Sequence, residues 1–245
     1  MSDAPPDAHF PDTHWTLIAR IKSPDAAVAA RALDDLCTQY HYPLYCYIRR
    51  RGLAHHDAQD VLHDFLAGLL RQRALERLEE SRGRLRGYLS TALGRHIHAW
   101  RESEDRRDQP AVDLATALDF DAIAYRYQRE QFTDADTPER VFERKWAQEL
   151  LAHALATLGA DCARRGKGAL FAALRPVVER GGSLRGEDND AIAASLGISA
   201  QAVRSALSRL MHEFRGTMRA AVRLTVEDDA EVDAELLHLL SLFGR

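Results

Sequence analysis

Five side chains close to residue 200 carry hydrogen-bonding groups at helical spacing: Gln201, Arg204, Ser205, Ser208 and Arg209. Steps of three and four residues put such a set on one face of a helix. A guanidinium offers two parallel donors that match the O6 and N7 acceptors of guanine, and a carboxamide can pair in the same two-point manner with adenine. Serine hydroxyls add contacts to base edges or phosphates. The set is therefore suited to reading a DNA major groove from one helix.

Positioning it requires a second helix and a defined turn. The sequence predicts a short helix over Asn189 to Leu196, a tight turn at Gly197-Ile198-Ser199, and a long helix from Ala200 to about Arg223. Ala193 is small where two helices cross, Gly197 can adopt the positive φ of the turn, and Ser199 can cap the second helix. Ile192, Leu196, Ile198, Val203, Ala206 and Leu210 are expected to fill the core between them. An ordinary helical hairpin would want the same apolar positions. It has no need of an Ala-x-x-x-Gly-x-Ser turn followed by an uncluttered polar face, so the reading is a helix-turn-helix.

Other reactive residue types are scattered. His55, His56, His63, His96 and His98 form no HExxH pattern, and His96 and His98 fall on different faces of one helix. No phosphate loop or nucleophile elbow occurs. Cys37, Cys46 and Cys162 are odd in number, widely spaced and set in apolar stretches, which favours buried thiols over a disulfide or a metal site. No catalytic residue, metal or cofactor is expected.

The chain has 245 residues, room for two modest domains. Its 46% hydrophobic and 29% charged residues have the balance of a soluble helical protein. A net charge of -4 argues against indiscriminate coating of nucleic acid, so DNA contact must be local or assisted by a partner. No run approaches the ~18 apolar residues of a membrane span, and the start, MSDAPPDAHF, lacks the regions of a signal peptide; no membrane insertion and a cytoplasmic location are expected.

No strand-like alternation of useful length appears, and the expected fold is all-α, two helical domains joined by a linker. Residues 1–22 form an N-terminal segment whose apolar cluster, Trp15, Leu17, Ile18 and Ile21, docks on the first domain. That domain spans 23–107. Ser23-Pro24-Asp25 starts a helix, with Ser23 as its cap; Pro43 interrupts it, and Gly52 stops the second piece. From Asp57 to Arg71, Ala58, Val61, Leu62, Phe65, Leu66, Leu69 and Leu70 draw one apolar stripe. The other face carries Asp57, Gln59, Asp60, His63 and Asp64, either solvated or a docking surface. A later helix sets Leu85, Tyr88, Leu89, Ala92, Leu93, Ile97 and Trp100 against Arg84, Thr91, Arg95, His98 and Arg101. Seven arginines lie between Arg82 and Arg107, a local basic excess fit for phosphate contact.

Residues 108–136 lose periodicity and read as the linker, with the domain boundary inside it. The second domain, 137–224, opens with Thr137-Pro138-Glu139 as a capped helix start; Gly159 lies near that helix's end, and a further helix covers Gly168 to Glu179. The extension 225–245 joins an acidic run to Leu236, Leu237, Leu239, Leu240 and Phe243. It reads as an amphipathic helix packing on the second domain, with a regulatory docking helix as the alternative.

Taken in order, FPDTHWTLI, YHYPLYCYIRRRG, DAQDVLHDFLAGLL, GRLRGYLSTAL, TPERVFERKWAQELL and AIAASLGISAQAVRSALSRL resemble the extracytoplasmic-function (ECF) group of the sigma-70 family of bacterial RNA polymerase sigma factors, over nearly the whole chain. The resemblance implies that 23–107 is a region 2-like domain contacting core polymerase and the minus-ten element, and that 137–224 is a region 4-like domain reading the minus-thirty-five element. It implies that Asp57, Gln59, Asp60, His63 and Asp64 dock on the clamp helices of the beta-prime subunit, and that the surroundings of the helix-turn-helix meet the beta flap. Arg84, Arg95, His98 and Arg101 would then contact the melted minus-ten strand, and Ser199, Gln201, Arg204, Ser205, Ser208 and Arg209 the duplex upstream. Where many relatives carry Asn or Asp late in the minus-ten helix, this chain reads His98-Ala99-Trp100. The implied function is promoter recognition, promoter melting and transcription initiation with core RNA polymerase. The alternative is a stand-alone helix-turn-helix DNA-binding regulator, for which the first domain has no evident use. An anti-sigma factor or another regulator is a further implied partner that no motif identifies.

Overall fold

The computed structural model describes residues 14–71, 85–102, 119–185, 189–226 and 228–243. Arg84, the Pro-rich start and the 108–118 part of the expected linker lie outside them. The fold is all-α: among the described residues every regular element is a helix, and no helix is long and apolar enough to cross a membrane. The described chain divides into two compact bodies, 14–149 with 224–243, and 150–223.

The first body is built around α2 (Ala26–Arg50). Its N-cap is Asp25, whose carboxylate accepts from the amides of Ala27 and Val28; Ser23 instead accepts from the amide of Asp25. The expected break at Pro43 does not occur, and one helix of 25 residues runs through it. An interior proline costs about 3 kcal/mol, but Tyr42 to Ile48 are buried without interruption, so packing from every side holds this segment helical. Gly52 ends the turn after it at φ 89°, as the sequence predicts. The helices α1 (His14–Ile21), α3 (His55–Arg71) and α4 (Leu85–Glu102) pack against this axis or against each other. They bury Leu17 and Ile18 from α1, Val61, Leu62, Phe65 and Leu66 from α3, and Leu85, Leu89, Leu93 and Ile97 from α4.

The expected linker is in part a folded element of this body. Residues 120–128 form α5 (Phe120–Gln128), capped by Asp119 and burying Phe120, Ile123 and Ala124. Nine residues are too few to display a helical period against an irregular background. Its Tyr127 meets the Tyr45 ring edge-on at 5.8 Å, with the Arg49 guanidinium 4.8 Å from its centre. The loop after α5 is closed by Asp136, which accepts from Thr133 at 2.9 Å and from Arg144 at 2.9 Å, while Arg50 donates to the Asp136 carbonyl at 2.8 Å.

The helix α6 (Pro138–Arg164) starts as predicted, with Thr137 Oγ1 accepting from the Arg140 amide. The two bodies divide inside it, after Glu149, and not in the 108–136 stretch. Gly159 lies within α6, not at its end; a Cβ there would come within 2.7 Å of the Phe171 ring. Close approach, not termination, explains this glycine, and the positive-φ residue after the helix is Gly166.

The tail also departs from expectation. A 3-10 turn, Asp229–Glu231, leads into α10 (Val232–Ser241), and both belong to the first body rather than to the body of residues 150–223. The reason is Glu235. It is fully buried and pairs with Arg86 of α4, itself only 2% exposed; Arg86 also lies 3.8 Å from Glu143 and 4.8 Å from the centre of the Trp146 ring. His238 lies 3.4 Å from Glu143. An acidic run in sequence looks like a solvated face; here one member of it is a core counter-ion.

The second body consists of the rest of α6, α7 (Gly168–Glu179), α8 (Asn189–Leu196) and α9 (Ala200–Arg223). Its core joins Leu155, Leu158 and Cys162 to Phe171, Leu174 and Val177, and to Ala193, Val203, Ala206, Leu207 and Leu210. Arg165 clamps α9 through both oxygens of Glu213, at 3.2 and 2.6 Å. All three cysteines are buried and free.

Candidate nucleic-acid interfaces

In the second body, the turn between α8 and α9 has the geometry that its residues predict. Gly197 takes φ 63°, the Ile198 amide returns to the Ala193 carbonyl at 3.1 Å, and Ser199 Oγ caps α9 by accepting from the Ala202 amide at 3.2 Å. Ala193, Val203, Ala206 and Leu210 are buried, and Ile192 packs against them. Two expected core residues depart from this: Leu196 is half-buried and outside the cluster, and Ile198, in the turn, is 37% exposed.

Burial of Val203, Ala206, Leu207 and Leu210 fixes the rotation of α9 and leaves Gln201, Arg204, Ser208 and Arg209 exposed, with Ser205 half-buried beside them. Arg204 donates Nε and Nη2 to Oε1 of Gln201, at 3.1 and 3.0 Å. The guanidinium is thereby held in a defined orientation by a single acceptor, a pairing that an incoming base can displace. Ser199 caps the helix with its oxygen as acceptor, an arrangement that still allows its O–H to donate. Glu213, one turn beyond Arg209, is engaged by Arg165, whose hydrogen bonds hold the Glu213 carboxyl below the usual carboxylate range.

In the first body, α4 lines an open groove of about 570 Å3 together with α2 and the first turn of α6. Ser90, Thr91, Gly94, Arg95 and His98 come from α4, Tyr47 from α2, Arg51 from the C-cap position just after α2, and Glu139 from α6. A Cβ on Gly94 would lie 3.0 Å from the Tyr47 hydroxyl, so this glycine lets the two helices close on each other. Arg95 and His98, two of the residues singled out from the sequence, therefore share one groove. His98 lies 3.3 Å from Glu102. Arg101 is turned to the groove's end, where it donates to the Arg51 carbonyl at 2.6 Å and so caps the C-terminus of α2.

Tyr47, Arg51 and Glu139 are groove residues that sequence reasoning did not single out. Arg51 donates to the Tyr47 hydroxyl at 2.7 Å and to Glu139 at 2.8 Å, and Tyr47 donates to Glu139 at 3.1 Å. The Tyr47 hydrogen bond holds the Arg51 guanidinium above its ordinary pKa, and burial raises that of Tyr47. The one local signal was the i,i+4 spacing of Tyr47 and Arg51 at a helix end. Of the seven arginines between Arg82 and Arg107, Arg86 belongs to the core and not to any interface.

The polar face of α3 is divided. Asp57 and Asp60 are exposed and Gln59 is half-exposed, whereas His63 packs edge-on against Phe120 at 4.7 Å and Asp64 lies 3.4 Å from His96 of α4. Burial lowers the His63 pKa against the opposing pull of Asp60. The exposed acidic edge of α3 is thus Asp57 and Asp60, with His63 and Asp64 tied to neighbouring helices. Among the described residues, no group of histidine, cysteine and acidic side chains could hold a metal ion. Comparison of the chain with protein-family models, with curated proteins and with solved structures returned no match.

Proposed function

We propose that this chain is a sigma-type initiation factor: it binds core RNA polymerase, reads promoter DNA with α9, and engages a melted strand in the α4 groove. The observation that carries the reading is the face Gln201, Arg204, Ser208 and Arg209, exposed on a helix whose opposite side is buried behind a glycine turn and a serine cap. Such a face offers paired donors for guanine and a donor-acceptor pair for adenine at a spacing that one helix in a major groove can use.

Two further features support it. The α4 groove combines cations with an aromatic hydroxyl and small side chains, a surface that can follow a phosphate backbone and admit an unstacked base. Asp57 and Asp60 present an exposed acidic edge to a basic partner surface, and the net charge of -4 fits a protein whose DNA affinity is supplemented by another subunit.

The test is reconstitution. The full chain is added to a cognate core RNA polymerase on promoter DNA, and run-off transcripts are measured with the chain alone as a DNA-binding control. Promoter-specific initiation that requires both components supports the proposal. Operator binding by the chain alone, unaffected by core enzyme and without transcripts, would identify the stand-alone regulator instead.

A further inference from the structure

The α4 groove carries its own anions. Arg51 is held by Glu139 at 2.8 Å, and His98 lies 3.3 Å from Glu102. Glu139 takes a second hydrogen bond from Tyr47, at 3.1 Å through the same oxygen. Its own position is fixed from behind: it stands in the first turn of α6, where Thr137 caps the helix and the helix dipole favours a carboxylate.

A guanidinium binds carboxylate and phosphate oxygens with the same donor geometry. The carboxylate of Glu139 therefore sits where an oxygen of a nucleic-acid phosphate would meet Arg51. The pair is accessible, with side chains 41% and 54% exposed, so the exchange of one anion for the other does not require the body to open. An ion pair of this kind does little for the fold and much to set the charge a strand encounters.

We infer that Glu139 is a built-in competitor for nucleic-acid phosphate at Arg51, lowering the groove's affinity for single strands that bring no other contacts. The inference rests on the reading of the groove as a single-strand contact. Its consequence is selectivity: a strand must gain enough elsewhere, from Arg95 or from a partner that delivers it, to displace the internal carboxylate. The competitor lies in α6 and the cation at the C-cap of α2, so the start of α6 sets the affinity of a groove floored by α4.

The experiment uses the full chain and a short fluorescein-labelled single-stranded deoxyoligonucleotide of mixed sequence, with anisotropy titrations across a range of salt. Glu139→Gln keeps the side-chain volume and the Tyr47 hydrogen bond but removes the charge. It should tighten binding about two- to fivefold at low salt, the scale of an exposed ion pair, and steepen the logarithmic salt dependence by about 0.7, one further phosphate. Arg51→Ala in the same background should abolish the gain. Should Glu139→Gln unfold the first body, Glu139→Asp serves as well, since shortening withdraws the carboxylate from Arg51 and the same direction of change is expected. Unchanged or weaker binding by the Glu139 variant, with Arg95→Ala still weakening it, overturns the competitor and leaves the groove as a strand contact. Wild-type binding in both Arg95→Ala and Arg51→Ala removes the groove reading, and the competitor with it.

Discussion

Replacement of Glu235 by alanine should unfold the first body at markedly lower denaturant, although the residue lies ten positions from the C-terminus. Both partners are inside the core: the side chain of Arg86 is 3% exposed and that of Glu235 is fully buried. Removing one member of a buried pair strands the other charge and costs about 3 to 5 kcal/mol. Glu143, 3.8 Å from Arg86 but 35% exposed, can compensate in part, which places the expectation at about 3 kcal/mol. With a urea m-value of about 2 kcal/mol per molar, the midpoint falls by about 1.5 M. All three tryptophans, Trp15, Trp100 and Trp146, lie in the segment that forms the first body, so tryptophan fluorescence follows its unfolding without interference from the second body. Arg86→Met combined with Glu235→Leu should recover most of the loss, because an apolar pair of similar volume carries no stranded charge. A Glu235→Ala midpoint within about 0.3 M of the wild type would refute the reasoning, as would a double variant no better than the single one.

Other expectations concern separate sites. Arg204→Ala should weaken promoter DNA binding by about 1 to 3 kcal/mol in a footprinting or anisotropy titration, with the affinity for core polymerase unchanged. Asp60→Lys should lower affinity for core polymerase in a pull-down or fluorescence titration and leave the circular dichroism spectrum intact. The Arg144 hydrogen bond holds the Asp136 carboxyl at about 2, against the usual 3.8. Its contribution is complete above the unfolded value of 3.8 and is lost as pH falls through 2, so Asp136→Asn should cost about 2 kcal/mol at neutral pH and little at pH 2. Burial pushes the Cys37 and Cys46 thiols up to about 12. They should resist a thiol reagent in the native protein and react once urea unfolds it.

The features legible in the sequence alone are local. The turn at Gly197, the Ser199 cap, the bounds of α7, α8 and α9 and the outward face of α9 follow from backbone preferences and apolar spacing within a few residues. The apolar stripes of α3 and α4 were legible for the same reason. The features that required the folded chain depend on partners far apart in sequence. Pro43 remains inside a helix because its surroundings are buried on all sides, which no local propensity encodes. Residues 120–128 fold because Tyr127 and Phe120 find partners on α2 and α3. Glu139 enters the groove only because the start of α6 reaches the end of α2. The tail joins the first body because a buried guanidinium on α4 requires a carboxylate, and Glu235 supplies it. Short-range periodicity can place a charge on a helix face, but only the packed fold determines whether that face meets water, a partner or the core.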